Sequence, residues 1–272
     1  MKKLSIFLLL LLTVTSYANE TGFLFFGDAG TGNKDQYRVA KSMTKFCENS
    51  TCDFVALLGD NFYPSGVSSV NDAQWKTAFE LPYKDLGLIF YAALGNHDYK
   101  GNIEAQINYS KKSKIWKMPS SYYSFSKGDA DFFVIDTNHF NKTQREWLEA
   151  EIENSTASWK IVYGHHPVYS YGSHGNSDEL EEELLPIIEG NVDFYLSGHD
   201  HTKQVIEKKS SDITFIVSGA AGQTEPKKRS RTAIYNSSSL GFAHFLITKS
   251  KAILKIMDAK GDVDYSQTFT TK

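Results

Sequence analysis

Five short apolar runs in this chain end in the same way. FLFF (23–26) runs into Gly27-Asp28, DFVALL (53–58) into Gly59-Asp60, and LIFYAAL (88–94) into Gly95-Asn96-His97-Asp98. WKIVYG (159–164) runs into His165-His166, and VDFYLSG (192–198) into His199-Asp200-His201. Apolar runs of this length, rich in aromatic and β-branched residues and closed by glycine, read as buried strands. In α/β sheets ligands collect at the carboxyl ends of strands, and glycine lets the backbone turn sharply or approach a bound group. Singly, each ending has an ordinary explanation: Asp28 or Asp60 capping a turn, Asn96 shaping one, a histidine hydrogen-bonded in a loop. Five in one register are hard to produce by turn chemistry alone.

Helical patterning falls between these runs, at 34–47, through Trp75 and Phe79, at the start of 102–116, at 144–153 and at 178–189. SYYSF (121–125) and DFFVID (131–136) suit paired strands. Beyond residue 200 strand follows strand: around Val205, then 213–219, 241–248, 252–258 and 263–269. The alternation implies an α/β architecture, and the strand-rich tail implies two sheets face to face with helices outside. A length of 272 residues with 41% hydrophobic side chains suits one domain with a sizeable core. No internal repeat or low-complexity linker divides it. The net charge of −3 supplies no basic field, which argues against nucleic acid as a partner. The basic stretch 225–242 reads as a solvated surface turn, the alternative being a loop over the site entrance.

Residues 1–18, MKKLSIFLLLLLTVTSYA, combine Lys2 and Lys3, an apolar run, and small residues at Ser16 and Ala18. This is the pattern of a secretory signal. The expected organisation is a signal peptide over 1–18 and one domain over 19–272, in a secreted or periplasmic protein. The run Leu4–Val14 is short for a membrane anchor, the alternative reading, and no membrane span is expected in the mature chain. In an exported protein Cys47 and Cys52, the only cysteines, suit a local disulfide.

The side chains at the strand ends point to metal. Asp28 and Asp60, Asn96, three imidazoles and the phenol of Tyr63 are hard oxygen and borderline nitrogen donors, with no thiolate. That set suits iron, zinc or manganese. Seven donors are too many for one small ion; they suit two ions sharing a bridging carboxylate, the arrangement that clamps an in-line displacement at phosphorus.

The same residues carry a family resemblance. DAG (28–30), GDNFY (59–63), GNHD (95–98), VYGH (162–165) and GHDH (198–201) resemble, in order and spacing, the motifs of the calcineurin-like metallophosphoesterases. The superfamily usually places a histidine two residues after the first aspartate. Here that position is Gly30 and a tyrosine stands at 63, an exchange that marks the purple acid phosphatase branch. DNFYPSGV (60–67), residues 95–120 and GHHPVYSYGSHG (164–175) look like the small, single-domain tartrate-resistant acid phosphatases, and the resemblance covers residues 22–248. It implies a four-layer α/β/β/α sandwich of two mixed β-sheets flanked by helices. It also implies that Asp28, Tyr63 and His201 hold a ferric ion, that Asn96, His165 and His199 hold a divalent iron, zinc or manganese, and that Asp60 bridges them. His97 and His174 correspond to the family's two outer histidines, which bind phosphate oxygens, one of them protonating the leaving alcohol. Asp98 and Asp200 would orient neighbours. The resemblance assigns His166 no role, and His139 and His244 fall outside the motifs.

The function so implied is an exported, monomeric acid phosphatase. It would hydrolyse phosphate monoesters, small molecules or phosphoproteins, by attack of a metal-bound hydroxide, with an acidic optimum. The alternatives are a phosphodiesterase or nucleotidase using the same ions, and a secreted binding protein without catalysis.

Overall fold

The structure, a computed structural model, describes residues 20–226 and 233–271; the expected signal peptide at 1–18 lies outside the described residues. Thr21–Phe26 (β1), Phe54–Leu57 (β2), Ile89–Ala92 (β3) and the short Trp116–Lys117 (β4) lie side by side and parallel. The chain then builds a second sheet from Tyr123–Lys127 (β5), Ala130–Val134 (β6), Trp159–Tyr163 (β7), Phe194–Ser197 (β8), Lys203–Glu207 (β9), Thr214–Ser218 (β10) and Ala233–Ser237 (β11). It returns to the first sheet with Gly241–Thr248 (β12), Lys251–Asp258 (β13) and Val263–Thr270 (β14). The strand orders are β14-β13-β12-β1-β2-β3-β4 and β11-β9-β10-β8-β7-β6-β5, so both sheets mix parallel and antiparallel pairs.

Strand periodicity sorts the side chains between layers. Phe132 and Val134 of β6 join the core between the sheets, whereas Phe133 belongs with the helical layer over the second sheet. In β8, Phe194 and Leu196 likewise point one way and Tyr195 the other. The centre of the sandwich is aromatic: Phe23 stacks on Phe54 at 5.0 Å and meets Phe132 of the facing sheet edge-on at 5.1 Å. Helix Lys34–Cys47 (α1), capped by the Asn33 side chain, covers the first sheet, as does Leu81–Tyr83 (α2), which continues a π-helical turn over Trp75–Glu80. Ile103–Tyr109 (α3) precedes β4. Lys142–Asn154 (α4), Asp178–Glu183 (α5) and Leu185–Ile188 (α6) cover the second sheet. This is the expected four-layer arrangement.

Two expectations change. The helix expected over 178–189 breaks at Leu184, because Pro186 has no N–H to donate and its ring crowds the preceding turn. The basic stretch 225–242 is not wholly a surface turn: β11 occupies 233–237 and pairs with β9, while 227–232 lie outside the described residues. Exposed Ile234 fits an edge strand whose outer face meets water. The disulfide joining Cys47 to Cys52 is formed.

His244 sits in the first sheet, away from the strand ends considered below. Its Nε2 lies 2.8 Å from the Thr51 carbonyl, its ring meets Phe46, and its buried Nδ1 has no partner among the described residues. Burial holds its pKa down to about 4. The unfolded chain therefore binds a proton between about pH 6.5 and 4 that the folded chain refuses, and stability is lost as pH falls through that window. The contribution is about 3 kcal/mol. His244→Phe should be somewhat less stable at pH 7, with the Thr51 carbonyl left unpaired, yet lose much less stability between pH 7 and pH 4. Denaturant titrations at the two pH values check this; an unchanged pH dependence counts against it.

Candidate metal centre

The strands β1, β2, β3, β7 and β8 deliver their ends to one rim. The backbone is strained there: Asp28, Asp60 and His199 have φ of 58°, 51° and 68°, a region that costs a non-glycine residue about 1–3 kcal/mol and persists only where its surroundings enforce it. The enforcement is visible. Asp28 Oδ2 accepts the backbone N–H of His199 at 2.8 Å, and Asp60 Oδ1 accepts that of His97 at 2.8 Å. Three of the strand-end glycines, Gly59, Gly95 and Gly198, make room for an expected ligand of another strand: His165, Asp60 and Asp28. A Cβ on Gly95 would stand 2.2 Å from Asp60 Oδ1, and one on Gly198 2.5 Å from Asp28 Oδ2.

All seven side chains expected as ligands meet, in two adjoining groups. In the first, the Tyr63 hydroxyl lies 2.7 Å from Asp60 Oδ2, 3.0 Å from Asp28 Oδ1 and 3.2 Å from His201 Nε2. In the second, His165 Nε2 lies 3.0 Å from Asn96 Oδ1 and 3.2 Å from His199 Nδ1, which is itself 3.1 Å from Asn96 Oδ1. Asp60 stands between them, with Oδ1 3.5 Å from His165 Nε2. Gly30 explains the tyrosine: a Cβ there would lie 1.9 Å from the Asn61 carbonyl oxygen, so no ligand side chain fits at that position.

The donors fit cations better than they fit each other. His165 Nδ1 faces the Leu58 carbonyl at 3.0 Å, so that nitrogen carries the proton and Nε2 offers a lone pair. Around that lone pair stand an amide oxygen and a second imidazole nitrogen, with at most one proton for three atoms. In the first group the one Tyr63 hydroxyl proton can serve only one of its three neighbours, two carboxylate oxygens and an imidazole. Donors held about 2.1 Å from one cation stand about 3.0–3.4 Å apart; the second group has that spacing, and so does the first apart from the shorter Tyr63–Asp60 contact of 2.7 Å.

Their charges differ. Burial, with the Asp60 charge, pushes Asp28 up to about 7 against the pull of His201 and Tyr63. Burial and the Asp28 and Asp60 charges drive the Tyr63 phenol far above its ordinary range. Burial pulls His201 down, but its hydrogen bond to Asp28 and the nearby carboxylates outweigh this and leave it raised. These shifts all hold protons in the group, and its two carboxylates and phenol become anionic donors once a cation displaces those protons. The second group is neutral: burial and the surrounding histidines hold His165 well below its ordinary value and His199 down to about 2, leaving bare imidazole nitrogens.

The expected outer histidines flank the groups. The His97 ring lies 4.5 Å from that of Tyr63, with Nδ1 2.7 Å from the Pro64 carbonyl; the His174 ring lies 4.2 Å from that of His199. Asp200 Oδ1 accepts the His174 backbone N–H at 2.8 Å. Asp98 accepts hydrogen bonds from Gly95, Asn61 and Gln106, tying down the turn that carries Asn96. Both aspartates thus orient neighbours, as expected. His139 is exposed and packs beside Tyr99. Sequence reasoning missed Glu225, which accepts the His201 backbone N–H at 2.9 Å and the Ser173 hydroxyl at 2.5 Å, so joining the loops of His201 and His174. It lies in a basic stretch with no local signal to single it out.

The profile described as calcineurin-like phosphoesterase matches residues 22–203. Purple acid phosphatase 7 of Arabidopsis thaliana is 36% identical over 275 residues, covering 89% of this chain and 83% of that protein. Tartrate-resistant acid phosphatase type 5 of Oryctolagus cuniculus is 30% identical over 262 residues, covering 82% of this chain and 80% of the relative. Among solved structures, GAP50, the anchor in the inner membrane complex of Plasmodium, superposes with a TM-score of 0.83 at 28% identity, covering 93% of this chain and 89% of that one.

Proposed function

Because the chain belongs to the calcineurin-like phosphoesterases and, within them, to the purple acid phosphatases, we propose that it is an exported acid phosphatase acting on phosphate monoesters. The observation that carries this reading is Asp60 standing between an anionic and a neutral donor group. The asymmetry supports a trivalent ion, ferric iron, at Asp28, Tyr63 and His201, and a divalent iron, zinc or manganese at Asn96, His165 and His199. When bound, the pair would neutralise phosphoryl oxygens and supply the acidity that activates water.

The chain's own residues do the rest. Asp60 holds the two groups in register. His97 is oriented by Nδ1 donating to the Pro64 carbonyl, and His174 by its backbone bond to Asp200. They would grip the phosphoryl oxygens outside the ions and hand a proton to the departing alkoxide. The departing alkoxide must be given a proton, so turnover should fall above neutral pH. The Cys47–Cys52 disulfide supports export, since such bonds persist in oxidising compartments.

The test is reconstitution with iron and zinc, followed by assay of p-nitrophenyl phosphate and its bis-ester at pH 5 and pH 8. Preference for the monoester at pH 5 is expected. A flat profile to pH 8 would contradict the proton-donor roles, and preference for the bis-ester would make the protein a diesterase. The likeness to the Plasmodium anchor favours a second reading, a binding protein with a silent site. A metal-loaded protein that turns over neither ester would establish it.

A further inference from the structure

His166 follows His165 at the end of β7 and stands among the centre's residues without belonging to either donor group. One ligating atom of each of His165, His166 and His199 lies within 4.8 Å of the other two. The His166 ring centroid is 4.5 Å from that of His199 and 5.0 Å from that of His165. Thr137 decides which ring nitrogen carries a proton. Its hydroxyl oxygen accepts the His166 backbone N–H at 3.0 Å and lies 2.8 Å from His166 Nδ1. Thr137 is buried, and among the described residues its hydroxyl oxygen meets only the His166 backbone N–H and ring, so the hydroxyl hydrogen has no acceptor other than Nδ1. Leaving that hydrogen unpaired would cost about 1–3 kcal/mol. The hydroxyl therefore donates to Nδ1, and the ring proton sits on Nε2, which has no hydrogen-bond partner among the described residues. A ring nitrogen in that state is a donor and not a metal ligand.

Counting oxygens gives the donor its partner. A phosphate monoester has four oxygens on phosphorus. If two face the ions and His97 and His174 take the other two, an alkyl or aryl phosphate leaves His166 nothing to bind. We propose that His166 Nε2–H binds a second anionic oxygen carried beside the reacting phosphorus, on a neighbouring phosphoryl or carboxylate group, and so favours substrates of that class over simple monoesters. The inference rests on the phosphatase reading for the seat of the first phosphoryl group.

Its test reads binding, so that it fails separately from that reading. Metal-loaded wild type, His166→Phe and His166→Gln are titrated calorimetrically with orthophosphate and with non-hydrolysable methylenediphosphonate. Phenylalanine keeps a ring against His199 without the N–H; glutamine restores an N–H. A hydrogen bond to a charged group predicts that His166→Phe weakens the diphosphonate by about 10- to 100-fold. Orthophosphate should weaken by no more than about threefold, the scatter of a neutral substitution. Metal content should hold, and His166→Gln should regain part of the loss. Equal weakening of both anions, no weakening of either, loss of a metal ion from His166→Phe, or a wild type that binds neither anion would each overturn the assignment. A wild type that shows the expected anion pattern but does not hydrolyse p-nitrophenyl phosphate would sink the phosphatase reading and leave His166 as the donor.

Discussion

Asp60→Asn should leave the protein with at most one tightly held ion and lower kcat/KM by about 10³-fold, the scale of losing a group that stabilises the transition state directly. The reason is geometric. Oδ2 lies 2.7 Å from the Tyr63 hydroxyl, while Oδ1 accepts the His97 N–H at 2.8 Å and lies 3.5 Å from His165 Nε2. Each oxygen thus serves a different donor group. An asparagine has one acceptor oxygen; its amide N–H₂ must turn towards either the anionic group or the bare imidazole nitrogens and cannot ligate on that side. The change is nearly isosteric, so the fold should survive, and the unfolding midpoint of the metal-free variant should stay near that of the metal-free wild type. Metal analysis beside single-substrate kinetics checks the prediction. Two retained ions with full turnover would remove Asp60 from the bridging position.

Tyr63→Phe should abolish the visible absorption of the iron-loaded protein and weaken ferric binding by at least about 100-fold, the upper end of what losing even an indirect support of a ligand costs. Without a cation, burial and the charges of Asp28 and Asp60 keep the Tyr63 phenol protonated far beyond its ordinary range. Only an ion of high charge can make the phenolate form beside two carboxylates. Loading with ferric iron should therefore release protons and produce a charge-transfer band. Chelation should reverse both, and zinc in the same group should give no colour. Phenylalanine fills the space of the ring but removes the oxygen and its three contacts. A colour that persists in Tyr63→Phe would assign the absorption to another ligand, and a colourless but fully active zinc protein would remove iron from the proposal.

Much of the fold was legible because local pattern and tertiary role agree. The helix read at 34–47 spans those residues, and the long strand at 241–248 does too. Buried strands with glycine ends could be read as ligand carriers because ligands and glycines recur together five times. Legibility failed where the deciding contact is distant in sequence. Ala233–Ser237 has weak strand composition and is a strand because β9 offers it a free edge. Glu225 acquires its role from the backbone N–H of His201 and the hydroxyl of Ser173, 24 and 52 residues away. His166 is a histidine beside a histidine until Thr137, 29 residues upstream, orients it. The break at Leu184 is local: Pro186 carries it, inside an apolar period that by itself reads as one helix.

The sequence by itself determined the chemistry of the donors and the strand ends that carry them, since composition and spacing along one chain are local properties. It also carried the pairing of Gly30 with Tyr63 on which the family resemblance turns. Tertiary structure alone decided how the donors divide. Only when the two sheets meet do Asp28, Asp60 and Tyr63 become a buried anionic group, and Asn96, His165 and His199 a neutral one. Burial and charge separation depend on neighbours in space, and no order of residues states them.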